Sequence, residues 1–201
     1  MEKLRQTQEG ANINFLDPHL VVELVHNPDA VLHYPDITAE DLRTKTERYR
    51  ILLGKVGKVH GGCVQVSIDA VMELQKGDLP PQLEIEEGHK GINFNLKAVK
   101  KYFELLKLKS SDQELAELNF IGEMHTHPLM PHEFTNGKKP WEPSQGPQSD
   151  VEGIIKSYKN GTLDKTKPFI FSIAGPDDDR KTKYAFYRLV FKDGNYEVQL
   201  L

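Results

Sequence analysis

Apolar positions recur along the chain with two periods, one of about 3.6 residues and one of about 2, and together they predict a mixed set of helices and strands. Asp17-Pro18 reads as an N-cap followed by proline at the first helical position. Leu20, Val21, Leu24 and Val25 follow at helical spacing, so a helix is predicted that closes at Asn27-Pro28. Residues 49–56 and 62–68 are rich in β-compatible side chains, the second stretch alternating cleanly, and predict two strands joined by a turn over 57–61. Leu96, Val99, Phe103 and Leu106 mark one face of a helix that carries lysines on its other side. Residues 115–124 read as a strand leading into two histidines. Val151, Ile154, Ile155 and Tyr158 define a further helix that Asn160-Gly161 ends. Strands over 169–174, 183–191 and 196–200 finish the chain, with Asp193-Gly194 as a hairpin turn between the last two.

What lies between these elements sets the organisation. Residues 1–16 are polar and irregular and read as a loose lead-in, and residues 27–43 read as a connection. Residues 71–92 hold Gly77-Asp78-Leu79-Pro80-Pro81 and an acidic run, which suggests an insertion or long loop. A second insertion, over 129–147, follows the histidines in a loop that contains Pro128, Pro131, Pro140, Pro143 and Pro147. The pattern is that of one α/β (α+β) domain over residues 17–201, a sheet flanked by helices.

Composition narrows the function classes. The 201 residues are 38% hydrophobic and 28% charged with a net charge of -4, the balance of a soluble globular chain. No basic stripe points to nucleic acid, and lysine pairs such as Lys100-Lys101 and Lys138-Lys139 read as solvated surface. No run approaches the roughly 18 apolar residues of a membrane span, and the N-terminus has no apolar stretch of a secretory signal. The single cysteine, Cys63, leaves no internal disulfide and reads as a small packed residue, so a cytoplasmic setting is expected.

Candidate chemistry gathers at Gly122-Glu123-Met124-His125-Thr126-His127-Pro128. On an extended chain, His125 and His127 project from the same face, so their imidazoles are placed to share one metal ion. Neutral imidazole suits zinc, and a third protein ligand leaves one coordination position open for catalysis. An HxH pair alone is a weak motif, equally compatible with two surface histidines. Its company strengthens it: Asp150 stands at the start of the predicted helix that Asn160-Gly161 ends, and Glu47 precedes the first central strand. His19, His26, His33, His60 and His89 are scattered without ligand spacing and read as structural or solvated.

The stretch Ile121-Gly122-Glu123-Met124-His125-Thr126-His127-Pro128, an upstream glutamate and an aspartate opening a helix resemble the JAMM (MPN-plus, JAB-domain) zinc metalloproteases. Glu47 stands seven residues before Gly54, as in that family's early strand, and the order of elements resembles the family's over residues 17–200. The resemblance implies an MPN/JAB-like (cytidine-deaminase-like) fold and one zinc per chain. It implies His125, His127 and Asp150 as metal ligands and Glu47 as the general acid/base of amide hydrolysis. The implied substrate is a ubiquitin-like protein, deconjugated or processed by a stand-alone isopeptidase or peptidase; no nucleic acid or membrane partner is implied. Two other functions stay open: a non-catalytic scaffold of the same fold, and a hydrolase of small amides or sulfur-carrier adducts. The sequence does not address the oligomeric state.

Two departures from the family stand out. The family's serine three residues before the aspartate, which helps hold the oxyanion, is Pro147 here. Ser144 and Ser149 are the nearby hydroxyls, and Ser149-Asp150-Val151-Glu152 reads as a capping box with Ser149 as N-cap. Glu152 is the alternative third ligand. The second departure is the length of the loop between His127 and Asp150. It reads either as a tolerated surface loop or as a substrate-facing flap with Trp141 as a substrate-binding side chain and His132 as a less favoured extra ligand. Glu123, where the family often has an aromatic, is expected to face away from the metal, with a supporting role behind the ligands as the alternative.

Overall fold

The first apolar run, Val21–His26, is a strand (β1) where its spacing predicts a helix. Leu20, Val22 and Leu24 alternate on the covered side, whereas Val21 and Val25 of the helical set stand exposed, so burial alternates along the run. Three valines within six residues favour the extended form. The deciding partner is distant: β1 pairs in parallel with the strand at 63–73, from Val21 opposite Cys63 to His26 opposite Ile68. Asp17-Pro18 closes a turn instead, with the His19 amide donating to Asp17 Oδ1 at 2.9 Å.

The computed structural model describes residues 13–28, 34, 36–73, 86–88, 91–93, 96–109, 111, 113–134, 137–144 and 149–201. Within the connection after β1 lies a short helix, Ala39–Thr44 (α1), capped by Thr38 and Asp41 in a reciprocal box. Tyr49–His60 (β2) and Cys63–Glu73 (β3) form a long antiparallel hairpin. The expected turn over 57–61 is mostly strand; the chain reverses at Gly61-Gly62, both with positive φ. In the region expected as an insertion, β3 runs on to Glu73, and Glu86–Gly88 (β4) pairs with Gly91–Asn93 (β5); residues 74–85 lie outside the described part. Leu96–Lys109 (α2) follows as expected. The strand expected from 115 begins later, because Gln113–Glu117 is a short helix (α3) and Asn119–Thr126 (β6) starts after it.

Asp150–Lys159 (α4) and the strands Ile170–Pro176 (β7), Thr182–Lys192 (β8) and Asn195–Leu200 (β9) match the predicted closing elements. Asp193 and Gly194, both at positive φ, make the tight turn between β8 and β9. The larger sheet has the order β1-β3-β2-β6-β7-β8-β9 and is mixed, with β1–β3 and β6–β7 parallel and the other pairs antiparallel. The chain is therefore a mixed α/β fold: a seven-stranded sheet with few helices.

Alternating side chains split the core between the two faces. On one face, Tyr49, Ile51 and Leu53 of β2 pack against Val99 and Phe103 of α2. Phe171 and Ile173 of β7 pack in the cluster that takes in Ile154 of α4. On the other face, Leu52, Val64, Val66, Ile68, Met124 and Ile170 form a cluster with Val22 and Leu24 of β1 and Tyr184 and Phe186 of β8. β1, at one end of the strand order, thus shares a cluster with β8, next to the other end, and the rings of His26 and Phe186 lie 4.9 Å apart, so the sheet curls. The end of the lead-in joins this core, since Phe15 and Leu16 are buried and Leu16 O accepts from the Phe191 amide at 2.7 Å. Among the described residues, no helix is long and apolar enough to cross a membrane.

Candidate metal centre

The site forms where three chain segments end together. β6 delivers His125 one residue before its last, and His127 follows just beyond it. Asp150 is the first residue of α4, placed there by Ser149, whose hydroxyl accepts from the Glu152 amide at 3.3 Å. The register of β2 with β6 sets Tyr49 opposite His125. Arg48 and Thr126 continue it, the Thr126 amide donating to Arg48 O at 3.0 Å. The next step outward brings Glu47 level with His127.

His125 Nε2 lies 3.1 Å from His127 Nε2 and 3.3 Å from Asp150 Oδ1, and His127 Nε2 lies 3.7 Å from Asp150 Oδ2. Candidate donor atoms of these three residues all lie within 4.8 Å of one another. Bonds of 2.0–2.1 Å at tetrahedral angles put zinc donors about 3.3 Å apart, so this donor set fits the ion. Both imidazoles are buried, at 5% and 9% exposure, while the Asp150 side chain is 20% exposed, which leaves the site open on the carboxylate side.

The tautomer of His127 is fixed. Its Nδ1–H donates to the carbonyl of Pro140 at 2.9 Å, leaving Nε2 as a bare lone pair aimed at the cluster. His125 Nδ1, by contrast, is buried with no hydrogen-bond partner among the described residues. Asp150 Oδ2 accepts from both the amide of Ser144 at 2.8 Å and its hydroxyl at 2.7 Å, and the Asp150 amide donates back to Ser144 Oγ at 3.0 Å.

Electrostatically the centre favours positive charge. Burial lowers the pKa of His125, but Asp150 foremost, then Glu47 and Glu123, outweigh it and hold the imidazole up at about 9. Burial and the His125 charge push His127 down to about 4, so a single proton sits between the rings, on His125. Burial also acts to raise Asp150, yet His125, His127 and the Ser144 hydroxyl bring it well below the carboxylate range. A divalent cation at the same point would meet the same field and displace that proton.

Glu123 does not face away from the centre. β6 pairs without interruption from Gly122 to Thr126 with β7, so Glu123 and His125, two residues apart, share a side. Glu123 is buried and its Oε2 accepts from the Tyr49 hydroxyl at 3.0 Å. Burial raises its pKa to about 7 against the pull of His125 and Tyr49.

Of the remaining expected residues, Glu47 is half-buried and acts on His125 through its charge. Among the described residues, Glu152 and His132 are not part of the metal-type cluster; Glu152 pairs with Lys156 at 3.1 Å, and His132 sits exposed on a single 3-10 turn, Pro131–Glu133. Trp141 is half-buried against the α4 cluster, with Lys183 Nζ 4.9 Å above its ring. Pro147 lies outside the described residues. The supporting groups that the sequence reading lacks are the Pro140 carbonyl and Tyr49 as the partner of Glu123. A backbone acceptor carries no residue-type signal, whereas the pair was open to a register argument.

Ser144→Ala tests the carboxylate's support. It removes two of the three bonds between these residues, one of them charge-assisted. It is expected to lower stability by about 1–3 kcal/mol. Thermal unfolding measures the effect.

No family model and no curated protein matches the chain. Among solved structures, it is similar to a protein from Salinibacter ruber (strain DSM 13855), 14% identical, with a TM-score of 0.40 over 87% of this chain and 88% of that one. It is also similar to a protein from Desulfitobacterium hafniense, 12% identical, with a TM-score of 0.36 over 88% and 90% of the two chains. Neither likeness bears on the chemistry of the site.

Proposed function

We propose that the chain is a zinc-dependent isopeptidase or peptidase, a JAMM-type hydrolase of the cytoplasm that deconjugates or processes a ubiquitin-like protein. In this reading residues 17–201 form one MPN/JAB-like domain and bind one zinc ion. The observation that carries it is the convergence of His125 Nε2, His127 Nε2 and the Asp150 carboxylate on one point, with Glu47 beside them. His125, His127 and Asp150 hold the ion. When bound, zinc supplies a Lewis acid that polarises the scissile carbonyl and lowers the pKa of water towards about 7. Glu47 takes the proton from the attacking water and returns it to the leaving amine, so the amide bond breaks without a covalent intermediate. Ser144, whose hydroxyl donates to Asp150, takes in this reading the oxyanion role of the family's serine, which this sequence replaces with Pro147.

The test is a pair of measurements on the purified protein. About one zinc per chain is expected by elemental analysis. Cleavage of a ubiquitin-like conjugate is expected to fall by roughly 10²–10⁴ in Glu47→Gln with zinc content unchanged. Zinc without any hydrolysis would favour the non-catalytic scaffold, and cleavage confined to small amides would favour the adduct hydrolase. Absence of zinc binding at micromolar concentrations would defeat the reading.

A further inference from the structure

The long loop after His127 meets β7 at a point where no side chain fits. A Cβ added at Gly175 would lie 2.4 Å from Pro140 Cβ, 2.5 Å from Pro140 C and 2.8 Å from Pro140 O. The obstacle is a proline ring and its backbone, which have no rotamer with which to give way. Gly175 is not at positive φ, so its backbone suits any residue; the close approach alone demands glycine. The neighbouring residue holds the same region from the other side, since Ala174 O accepts from the His127 amide at 2.8 Å.

Pro140 itself is locked in a tight turn. The Glu142 amide donates to Lys139 O at 2.9 Å, which puts Pro140 at the second turn position, where its fixed φ is pre-set. The turn bond uses the Lys139 carbonyl, so the Pro140 carbonyl stays free to accept from His127 Nδ1. β8 secures the next residue: the Tyr187 hydroxyl donates to Trp141 O at 2.9 Å, and Lys183 caps the Trp141 ring. Four residues on, Ser144 reaches Asp150.

We infer that residues 139–144 form a clamp that orients two metal ligands, with Gly175 as a positioning residue for His127. The inference rests on the metal centre proposed above. Seating Pro140 against Gly175 directs its carbonyl at Nδ1, keeps the proton there, and leaves Nε2 free for the cation. Trp141 in this arrangement is an anchor of the clamp, its ring face occupied by Lys183.

Gly175→Ala, Tyr187→Phe and the control Gly153→Ala, whose added Cβ meets nothing within 4 Å, separate the outcomes. Zinc affinity is read by competition with a chromogenic chelator, and the His127 tautomer by long-range ¹H–¹⁵N correlation on the zinc-free protein. The native protein is expected to show the Nδ1–H form. Gly175→Ala is expected to lose that preference and to bind zinc about 10–100-fold more weakly, with Tyr187→Phe shifting both readouts in the same direction and the control shifting neither. If Gly175→Ala does not fold, Tyr187→Phe, which removes one hydroxyl, decides the matter. A folded Gly175→Ala, or in its absence Tyr187→Phe, with native tautomer and native affinity would overturn the clamp. A native protein that binds no zinc but shows a Gly175-dependent tautomer would defeat the metal centre and leave the clamp standing.

Discussion

Asp150→Asn is expected to weaken zinc binding by roughly a thousandfold while leaving the protein folded. Structural zinc sites bind with about 10–16 kcal/mol, or roughly 3–4 kcal/mol per ligand, and a neutral amide is a poor replacement for the carboxylate. Ser144 still has an oxygen to bond, so α4 keeps its start. The same substitution acts on the metal-free protein. Asp150 is the first of the groups that hold His125 up at about 9, and without its charge burial prevails and the imidazole titrates lower. The sign of the stability change follows. In the native metal-free protein His125 binds its proton more tightly than the ordinary 6.5 of an unfolded chain. That stabilisation is complete below about 6.5 and is lost as pH rises through about 9. Glu123, raised to about 7, adds a loss in the same direction at lower pH, from its ordinary 4.5 upwards. Melting curves in chelator at pH 6, 7.5 and 9 are therefore expected to show the native protein losing stability with rising pH, and Asp150→Asn showing a flatter dependence over the upper interval. A native profile without slope would mean that no proton is held between the rings.

The parts of this site that were legible in the sequence are those where one-dimensional spacing dictates direction. His125 and His127 face together because an extended chain alternates, and Asp150 reaches them because Ser149 starts a helix one residue earlier. β1 was illegible for the complementary reason. Leu20, Val21, Leu24 and Val25 make one helical face while Leu20, Val22 and Leu24 make one strand face, and the choice is made by the edge of β3, a partner some forty residues away in the chain. Glu123 was misplaced because its side depends on whether β6 stays regular up to the histidines. The unbroken pairing with β7 from Gly122 to Thr126 keeps it so. The Pro140 carbonyl could not be read at all, since its aim depends on a turn and on Gly175, and neither residue type announces an acceptor. Spacing marks the candidate ligands, and tertiary contact supplies what steadies them.

That dependence is sharpest at Gly122, two residues before Met124 and three before the first ligand. β6 lies so close to β7 here that an added Cβ would stand 1.7 Å from Ile170 O and 2.7 Å from Ile170 C. Gly122 pairs directly with Ile170 in the parallel ladder, and β2 closes the other side with Leu52 opposite Gly122, so β6 has no free direction in which to retreat. A methyl group at this point must part the strands, and it does so amid the buried side chains of Ile121, Met124 and Ile170. Overpacking of a core usually costs about 1–3 kcal/mol; a backbone obstacle together with lost ladder bonds brings the expected loss for Gly122→Ala to roughly 3–5 kcal/mol. Against a typical total of about 5–15 kcal/mol, that is enough to leave a large unfolded fraction near 37 °C. Gly153→Ala provides the opposite sign: in the interior of α4 with open space around it, alanine is expected to stabilise by about 0.5–1 kcal/mol. Urea unfolding of the two variants should move the midpoint in opposite directions. If Gly122→Ala unfolded at the native midpoint, β6 and β7 would not be packed as tightly as the register requires, and His125 would lose the rigid strand that aims it.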